Sequence, residues 1–255
     1  MAVCWLLLLL LGSFAFFWLA VVVICLLGAH EFLKMALPPE TDDLDLFLLT
    51  LFLSLPAIFT GLWHEDGLGG GLFLSVFLLA CYILFRYSKL TDSLKVLSRL
   101  VFGAVYVGFL SAHLVLLHLL PEGNLWLVIL VAITAGSDSG AYYSGRLLGK
   151  HKLCKNVSPN KTIEGAIGGM LCGLIVAIIF ALILLDSINW LVLVPVALIL
   201  VFVGIIGDLC ESIVKRGTGT KDSGTLLLGH GGILDRIDSL ILAAPFLYYL
   251  RIFTG

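Results

Sequence analysis

Long uncharged, apolar stretches alternate with short polar segments along the whole chain. Eight such stretches can be separated, at residues 1–29, 46–63, 67–85, 100–121, 123–137, 165–185, 187–207 and 239–250. A helix needs about 20 residues to cross the hydrocarbon core of a bilayer. Most of the stretches approach or exceed that length. In the first, Gly12-Ser13 is a candidate break that would leave a short helix ahead of a full one. The pattern therefore predicts an all-α, polytopic integral membrane protein with about eight transmembrane helices.

Two of the stretches are too short to span a bilayer unless ionisable residues are included. Residues 123–137 reach spanning length only with Asp138, and residues 239–250 only with Asp235 and Asp238. Ionisable groups within membrane helices are costly and usually functional. These three aspartates are therefore candidates for a functional site.

The basic residues predict how the helices are oriented. All but two of the fifteen follow the third, fifth or seventh stretch, namely Arg86, Lys89, Lys95, Arg99, Arg146, Lys150, Lys152, Lys155, Lys161, Lys215, Arg216, Lys221 and Arg236. Lysine and arginine concentrate in the cytoplasmic loops of membrane proteins. The odd-numbered loops are therefore expected in the cytoplasm and both termini outside.

Composition agrees with a membrane protein. Apolar residues make up 60% of the chain and charged residues 13%, against about 25% charged in a typical soluble domain. The net charge of −2 and the absence of a basic tail give no indication of nucleic-acid binding. The six cysteines have no metal or redox spacing and are interpreted as small apolar side chains. Because no basic residue precedes Lys34, the N-terminus is interpreted as a retained helix rather than a signal peptide.

The richest polar segment runs from residue 208 to 238. If the seventh helix continues past Gly207, one of its faces carries an acidic, hydroxyl and basic set: Asp208, Glu211, Ser212 and Lys215. Asp235 and Asp238 share a face in the opening turn of the last helix. Carboxylates with nearby lysine and arginine suit a metal–triphosphate. Charges that merely flank helices at a membrane surface are the plainer alternative.

Two smaller polar clusters lie earlier in the chain. Before the sixth helix, Ser158 or Asn160 can cap the helix, Pro159 suits its first position, and Lys161 adds charge for an anion. Taken alone, this is an ordinary helix start. In the fifth helix, Asp138 is either a metal ligand or a structural carboxylate.

These residues together resemble a known family, the phosphatidate cytidylyltransferases, also called CDP-diacylglycerol synthases. The matching positions are Ser212, Lys215, Arg216, Lys221, Asp222, His230, Gly231, Gly232, Asp235, Arg236 and Asp238. Residues 138–142 and 158–165 resemble two other recurring stretches of that family. The resemblance covers about residue 125 to the C-terminus, and Leu228 stands where the family usually has proline.

The resemblance implies that CTP and phosphatidic acid are converted to CDP-diacylglycerol and pyrophosphate in phospholipid biosynthesis. The implied catalytic residues are Asp208, Asp235, Lys215, Arg216, Lys221 and Asp222. Substrate contacts are implied for Ser212, Ser158, Lys161, His230, Gly231, Gly232 and Arg236. Magnesium, with a second cation as an option, is implied at Asp208, Asp235, Asp238 and Asp138.

The resemblance also implies the protein's setting. We expect a single membrane-embedded cytidylyltransferase domain over residues 1–255, with hydrophobic helices at 1–120 and catalytic helices and loops at 125–255. The expected partners are CTP, phosphatidic acid, the lipid bilayer and a second copy of the chain in a homodimer, with no nucleic acid. The expected location is the bacterial inner membrane, with the active site on the cytoplasmic side.

Other functions fit the sequence less well. A transporter or channel would need ionisable groups near mid-membrane or on both sides, whereas the polar clusters are one-sided. A CDP-alcohol transferase would need a characteristic set of spaced aspartates around an Asp-Gly and an Ala-Arg pair, and that spaced set is absent. A related nucleotidyltransferase acting on another lipid phosphate or an isoprenoid phosphate remains compatible with the spacing.

Overall fold

The computed structural model describes residue 9 and residues 12–90, 92–220, 222–224 and 231–254. Within these residues the chain forms seven long apolar helices: α1 (Phe14–Ala36), α2 (Asp43–Arg86), α3 (Ser93–Leu119), α4 (Gly123–Leu148), α5 (Ile163–Leu184), α6 (Trp190–Gly217) and α7 (Leu234–Thr254). Each helix is long and apolar enough to cross a bilayer. The fold is that of an all-α, multi-pass membrane protein.

Helix α2 is two helical arms joined at His64. The backbone of His64 has φ 54° and ψ −128°, which is not helical. The arms, residues 43–63 and 65–86, fold back on each other: a Cβ at Gly67 would lie 2.1 Å from the Phe59 carbonyl oxygen, and the Tyr82 hydroxyl donates to Asp45 at 3.0 Å. With α2 counted as two arms, the prediction of about eight transmembrane helices is confirmed.

The predicted helix ends agree with the structure at three places. Helix α1 begins at Phe14, directly after the predicted break at Gly12-Ser13; most of the short helix expected before it lies outside the described residues. Helix α4 continues through Asp138 to Leu148, and α7 begins at Leu234. The two short apolar stretches therefore reach spanning length by including their aspartates, as expected.

The described chain packs as two compact units. The N-terminal unit contains Gly12–Leu119 and Thr218–Arg236, and the C-terminal unit contains residues 120–217 and 237–254. A single domain over the whole chain stays a prediction.

In the N-terminal unit, α1 packs against α2 and α3 around buried apolar side chains such as Phe32 and Leu53. Helix α3 contains a π-helical turn at Ala104–Phe109. Gly103 lies against the Phe32 ring, and Gly108 against the Leu53 carbonyl. These close approaches leave no room for a side chain at either glycine.

In the C-terminal unit, α4 and α5 meet along small residues. Gly140 lies against Cys172, and Gly169 against Ser137. Small residues allow membrane helices to approach closely. The opposite face of α5 carries apolar side chains that are exposed at four-residue intervals, at Ile167, Leu171, Ile175 and Ile179. This face is suited to lipid contact.

A short β-hairpin connects α4 to α5. Strands β1 (Lys152–Cys154) and β2 (Ser158–Thr162) pair in antiparallel register, with Lys152 opposite Thr162. Glu164 fastens the hairpin base, because its carboxylate accepts hydrogen bonds from the backbone N–H groups of Lys150 and His151. The hairpin places Lys161 beside Asp208 near the end of α6.

Candidate functional site

The last two turns of α6 present a polar face. Because α6 continues unbroken to Gly217, Asp208, Glu211, Ser212 and Lys215 lie three or four residues apart on one side, as the sequence predicts. Within this face, the Lys215 ammonium lies 2.8 Å from the Glu211 Oε2. The apolar part of α6 precedes Asp208, so the charges gather at one end of the unit.

Gly207 brings the start of α7 against this end of α6. A Cβ at Gly207 would lie 2.7 Å from the Asp238 carbonyl oxygen and 3.1 Å from the Ser239 Cα. The glycine therefore permits a backbone approach that no larger residue allows. As a result, one carboxylate oxygen each from Asp208, Glu211 and Asp238 lies within 4.8 Å of the other two.

The three carboxylates form a group suited to a hard cation. Glu211 and Asp238 are buried, at 1% and 7% exposure, while Asp208 is partly exposed. Carboxylates this close repel each other unless a proton or a cation lies between them. Magnesium prefers oxygen donors and is commonly held by one or two carboxylates together with substrate phosphates. The donor set and the open side at Asp208 therefore fit a cation that also contacts a phosphate.

Lys161 brings a positive charge to the acidic group. Its ammonium lies 2.5 Å from the Asp208 Oδ2, and both side chains are partly exposed. Asp138 on α4 lies within electrostatic reach of both Asp208 and Lys161. The C-terminal unit thus brings together Asp138, Lys161, Asp208 and Asp238 from four different elements, all of which the sequence marks as candidates.

The hairpin corrects one sequence prediction. Ser158 and Asn160 do not cap α5, and Pro159 is not its first residue, because residues 158–162 form strand β2. The N-cap is Thr162, whose hydroxyl accepts a hydrogen bond from the Gly165 N–H at 3.1 Å. Local signals favour a helix start at residues 158–162, but pairing with β1 holds these residues in an extended conformation. The Ser158 substrate contact stays a prediction.

Arg216 reaches the hairpin from the end of α6. Its Nε donates to the Val157 carbonyl at 3.4 Å, and the side chain is exposed. The exposed guanidinium has further donors that can contact an anionic group.

The loop before α7 belongs to the N-terminal unit. There Asp235 Oδ2 accepts hydrogen bonds from the Ser223 N–H at 3.1 Å and the Gly232 N–H at 3.0 Å. Gly231 has φ +80°, a conformation that favours glycine. Asp222 and Arg236 are exposed. The metal role of Asp235 stays a prediction, and Lys221, His230 and Leu228 lie outside the described residues.

Comparison with known proteins identifies the family. The model of the cytidylyltransferase family matches residues 1–253. The chain belongs to the cytidylyltransferase family. It is therefore an enzyme of nucleotidyl transfer, and the acidic and basic side chains at the end of α6 are a candidate active site for that chemistry.

Three curated bacterial proteins illustrate what this cytidylyltransferase is similar to. The chain is 37% identical to the phosphatidate cytidylyltransferase of Bacillus subtilis over 211 residues, which covers 81% of this chain and 77% of the relative. It is 35% identical to that of Staphylococcus saprophyticus over 79% of this chain and 81% of the relative. Over a shorter segment, 46% of this chain and 45% of the relative, it is 53% identical to that of Staphylococcus haemolyticus.

Two residues of this cytidylyltransferase gain importance only from the structure. Glu211 lies on the expected face of α6, yet the sequence gives no reason to place it in the metal group rather than beside it. Glu31 lies in α1 and contacts the loop before α7. Its signal in the sequence is an ionisable residue within a membrane helix.

Proposed function

We propose that this chain is a phosphatidate cytidylyltransferase, which converts CTP and phosphatidic acid to CDP-diacylglycerol and pyrophosphate. The observation that carries the proposal is the group of Asp208, Glu211 and Asp238 beside Lys161 at one end of the C-terminal unit. The names of the bacterial relatives support phosphatidic acid as the lipid substrate. The resemblance of the polar segments to that family supports the same assignment.

The proposed reaction needs no strong general base. The phosphate monoester of phosphatidic acid is already anionic and nucleophilic. One of its oxygens forms a bond to the α-phosphorus of CTP. At the same time, the bond breaks between that phosphorus and the oxygen that it shares with the β-phosphorus. Pyrophosphate departs with the electron pair of the broken bond. Catalysis then consists mainly of positioning and charge stabilisation.

The residues of the C-terminal unit supply those functions. Lys161, Lys215 and Arg216 bind phosphate oxygens, and Ser212 orients one of them. Asp208, Glu211 and Asp238 would hold Mg²⁺, with Asp138 as a further carboxylate. When bound, the cation would neutralise charge on the triphosphate and on the departing pyrophosphate. A second cation is part of the proposal as an option.

The resemblance alone supports further roles for residues in the segment before α7. We assign phosphate contacts to Lys221, His230, Gly231, Gly232 and Arg236, and carboxylate support to Asp222 and Asp235. At Gly231 the absence of a side chain would let an anion approach the backbone closely, whereas the Gly232 N–H is already donated to Asp235 Oδ2.

The proposed setting is the cell membrane of a bacterium, with the site facing the cytoplasm. The concentration of lysine and arginine in alternate loops supports this orientation. The charged ends of the helices would then lie at the height of the lipid phosphates. A homodimer is part of the proposal and can be tested by cross-linking in native membranes.

The function is tested with purified protein, radiolabelled CTP and magnesium in mixed micelles. Separate reactions contain phosphatidic acid, lysophosphatidic acid, a polyprenyl phosphate or diacylglycerol. We expect CDP-diacylglycerol from phosphatidic acid and none from diacylglycerol, which lacks the attacking phosphate. A product from polyprenyl phosphate alone would favour the related nucleotidyltransferase. No lipid product from any of these substrates would contradict the proposal.

The Asp208→Asn variant serves as the matched negative control, since it removes one charge from the acidic group without changing its size. Loss of the product with that variant would exclude a contaminating enzyme.

A further inference from the structure

Glu31 is a buried acid that reaches from α1 to the loop before α7. The residue is 2% exposed. Its Oε1 accepts a hydrogen bond from the Ile233 N–H at 3.0 Å, and its Oε2 accepts one from the Leu234 N–H at 2.9 Å. Both oxygens of the carboxylate are thus occupied by backbone donors that lie about two hundred residues further along the chain.

A serine links Glu31 to Asp235. The Ser223 hydroxyl donates to Glu31 Oε2 at 3.3 Å and accepts from the Asp235 N–H at 3.3 Å. The Ser223 N–H in turn donates to Asp235 Oδ2. Glu31, Ser223 and Asp235 therefore form one continuous hydrogen-bonded set within the N-terminal unit.

Two glycines allow the backbone at residues 224 and 232 to lie close to the carboxylate. A Cβ at Gly224 would lie 2.6 Å from Glu31 Oε1, and a Cβ at Gly232 would lie 2.5 Å from Glu31 Oε2. Side chains at these positions would collide with the acid. Glycine at positions 224 and 232 is therefore explained by the space that the Glu31 carboxylate occupies.

The carboxylate also completes the start of a helix. Helix α7 begins at Leu234, and the first N–H groups of a helix have no partner within it. A negative charge is favourable at that end because of the helix dipole. Glu31 therefore satisfies backbone N–H groups at the start of α7.

We propose that Glu31 is a positioning residue for cytidylyl transfer, which holds residues 222–224 and 231–236 in place and thereby fixes the Asp235 carboxylate for its proposed role. The inference rests on the proposed function. Glu31 touches no substrate in this proposal and acts through Ser223, the glycines and the first turn of α7. No motif in the sequence assigns it a role.

The geometry predicts different results for two substitutions. In Glu31→Gln only one side-chain oxygen remains, so the amide NH₂ would face either the Ile233 or the Leu234 donor. In Glu31→Asp both acceptors remain, one methylene further from the loop. The exposed Glu40 provides a matched control as Glu40→Gln.

The experiment measures kcat and KM for CTP and for phosphatidic acid in the four proteins, alongside the thermal unfolding midpoint. We expect Glu31→Gln to lower kcat/KM for CTP about 100-fold, the scale of loss for small misplacements of reacting groups. Glu31→Asp should recover part of the activity, and Glu40→Gln should match the wild type. Unchanged kinetic constants with a lower unfolding midpoint would show a purely structural role and overturn the proposal.

Hydrogen–deuterium exchange gives a readout that does not depend on the reaction. The amides of Ile233 and Leu234 should exchange faster in Glu31→Gln than in wild type or Glu40→Gln. Unchanged exchange there would contradict the anchoring itself. Wild-type protein that makes no lipid product would overturn the proposed function, whereas the exchange result would still decide whether Glu31 anchors the loop.

Ser223→Ala tests the same contact if the Glu31→Gln protein does not insert into the membrane. Ser223→Ala leaves Glu31 in place and removes the hydroxyl between it and Asp235. It should lower kcat/KM in the same direction by a smaller factor, and wild-type kinetics in Ser223→Ala would count against transmission through this contact.

Discussion

The ammonium group of Lys161 lies 2.5 Å from the Asp208 Oδ2. Lys161 belongs to strand β2 and Asp208 to α6, so the ion pair joins the hairpin to the acidic group. It also compensates one of three neighbouring carboxylates. The pair therefore lowers the net negative charge of the acidic group and connects β2 to α6.

Removal of the Lys161 charge should impair turnover more than it impairs folding. We expect Lys161→Gln to lower kcat/KM for CTP about 100-fold, because a positioned charge near the phosphates is lost and Asp208 loses its partner. Lys161→Arg should retain more activity than Lys161→Gln. Steady-state kinetics with the lipid substrate fixed will check this. Lys155→Gln, at an exposed position of the same hairpin, should behave as wild type, and equal losses in both glutamine variants would argue for a non-specific effect of surface charge.

Glu211 should behave as part of the metal group. It is almost fully buried, and one of its oxygens lies within 4.8 Å of oxygens from Asp208 and Asp238. Glu211→Gln should raise the magnesium concentration for half-maximal activity at least about tenfold, because one anionic ligand is lost. A magnesium titration of the activity, with Glu40→Gln as control, measures the shift. A wild-type titration curve for Glu211→Gln would remove Glu211 from the metal site.

Helical periodicity explains which parts of the site the sequence could predict. The shared face of Asp208, Glu211, Ser212 and Lys215 follows from a spacing of three and four residues once α6 is known to continue. The inclusion of Asp138 in α4 follows from the length needed to span a bilayer. Both are local properties, so a single sequence is sufficient for them.

Tertiary contacts explain what the sequence could not predict. Glu211 belongs to the acidic group because Gly207 lets the backbone at Asp238 lie close to α6. This approach depends on how α6 and α7 pack. Strand β2 forms because residues 152–154 pair with it, which overrides the local helix-start signal at Ser158 and Asn160. Glu31 stands at the polar edge of the first apolar stretch, and its partners lie about two hundred residues away.

The glycine at the α6–α7 contact should be required for a working site. Gly207→Ala would place a methyl group 2.7 Å from the Asp238 carbonyl oxygen, and overpacking of this kind costs about 1–3 kcal/mol. The helices would separate, and Asp238 would move away from Asp208 and Glu211. We expect lower activity, a higher magnesium concentration for half-maximal activity and a lower unfolding midpoint.

Gly204→Ala is the matched control for that substitution. Gly204 lies one turn earlier on α6, where a Cβ would meet the Ser239 Cβ at 3.6 Å, an ordinary contact distance. This variant should retain activity and stability. Similar defects in both alanine variants would show that α6 merely tolerates substitution poorly.

Asparagine and alanine substitutions separate two possible roles of Asp235. In the structure its Oδ2 accepts the backbone N–H groups of Ser223 and Gly232. The oxygen of an asparagine at this position can accept the same two hydrogen bonds, so Asp235→Asn keeps the loop and removes the charge. Asp235→Ala removes both. If the carboxylate binds a cation or helps position substrate, Asp235→Asn should lose at least about 100-fold in kcat.

Amide exchange in residues 231–236 shows whether each variant keeps the loop intact. We expect wild-type exchange in Asp235→Asn and faster exchange in Asp235→Ala, with both variants inactive. Asp186→Asn, at an exposed position between α5 and α6, controls for the loss of a negative charge elsewhere. Near-normal turnover in Asp235→Asn together with an inactive Asp235→Ala would assign Asp235 to the loop alone, and the cation would then depend on the carboxylates of the C-terminal unit.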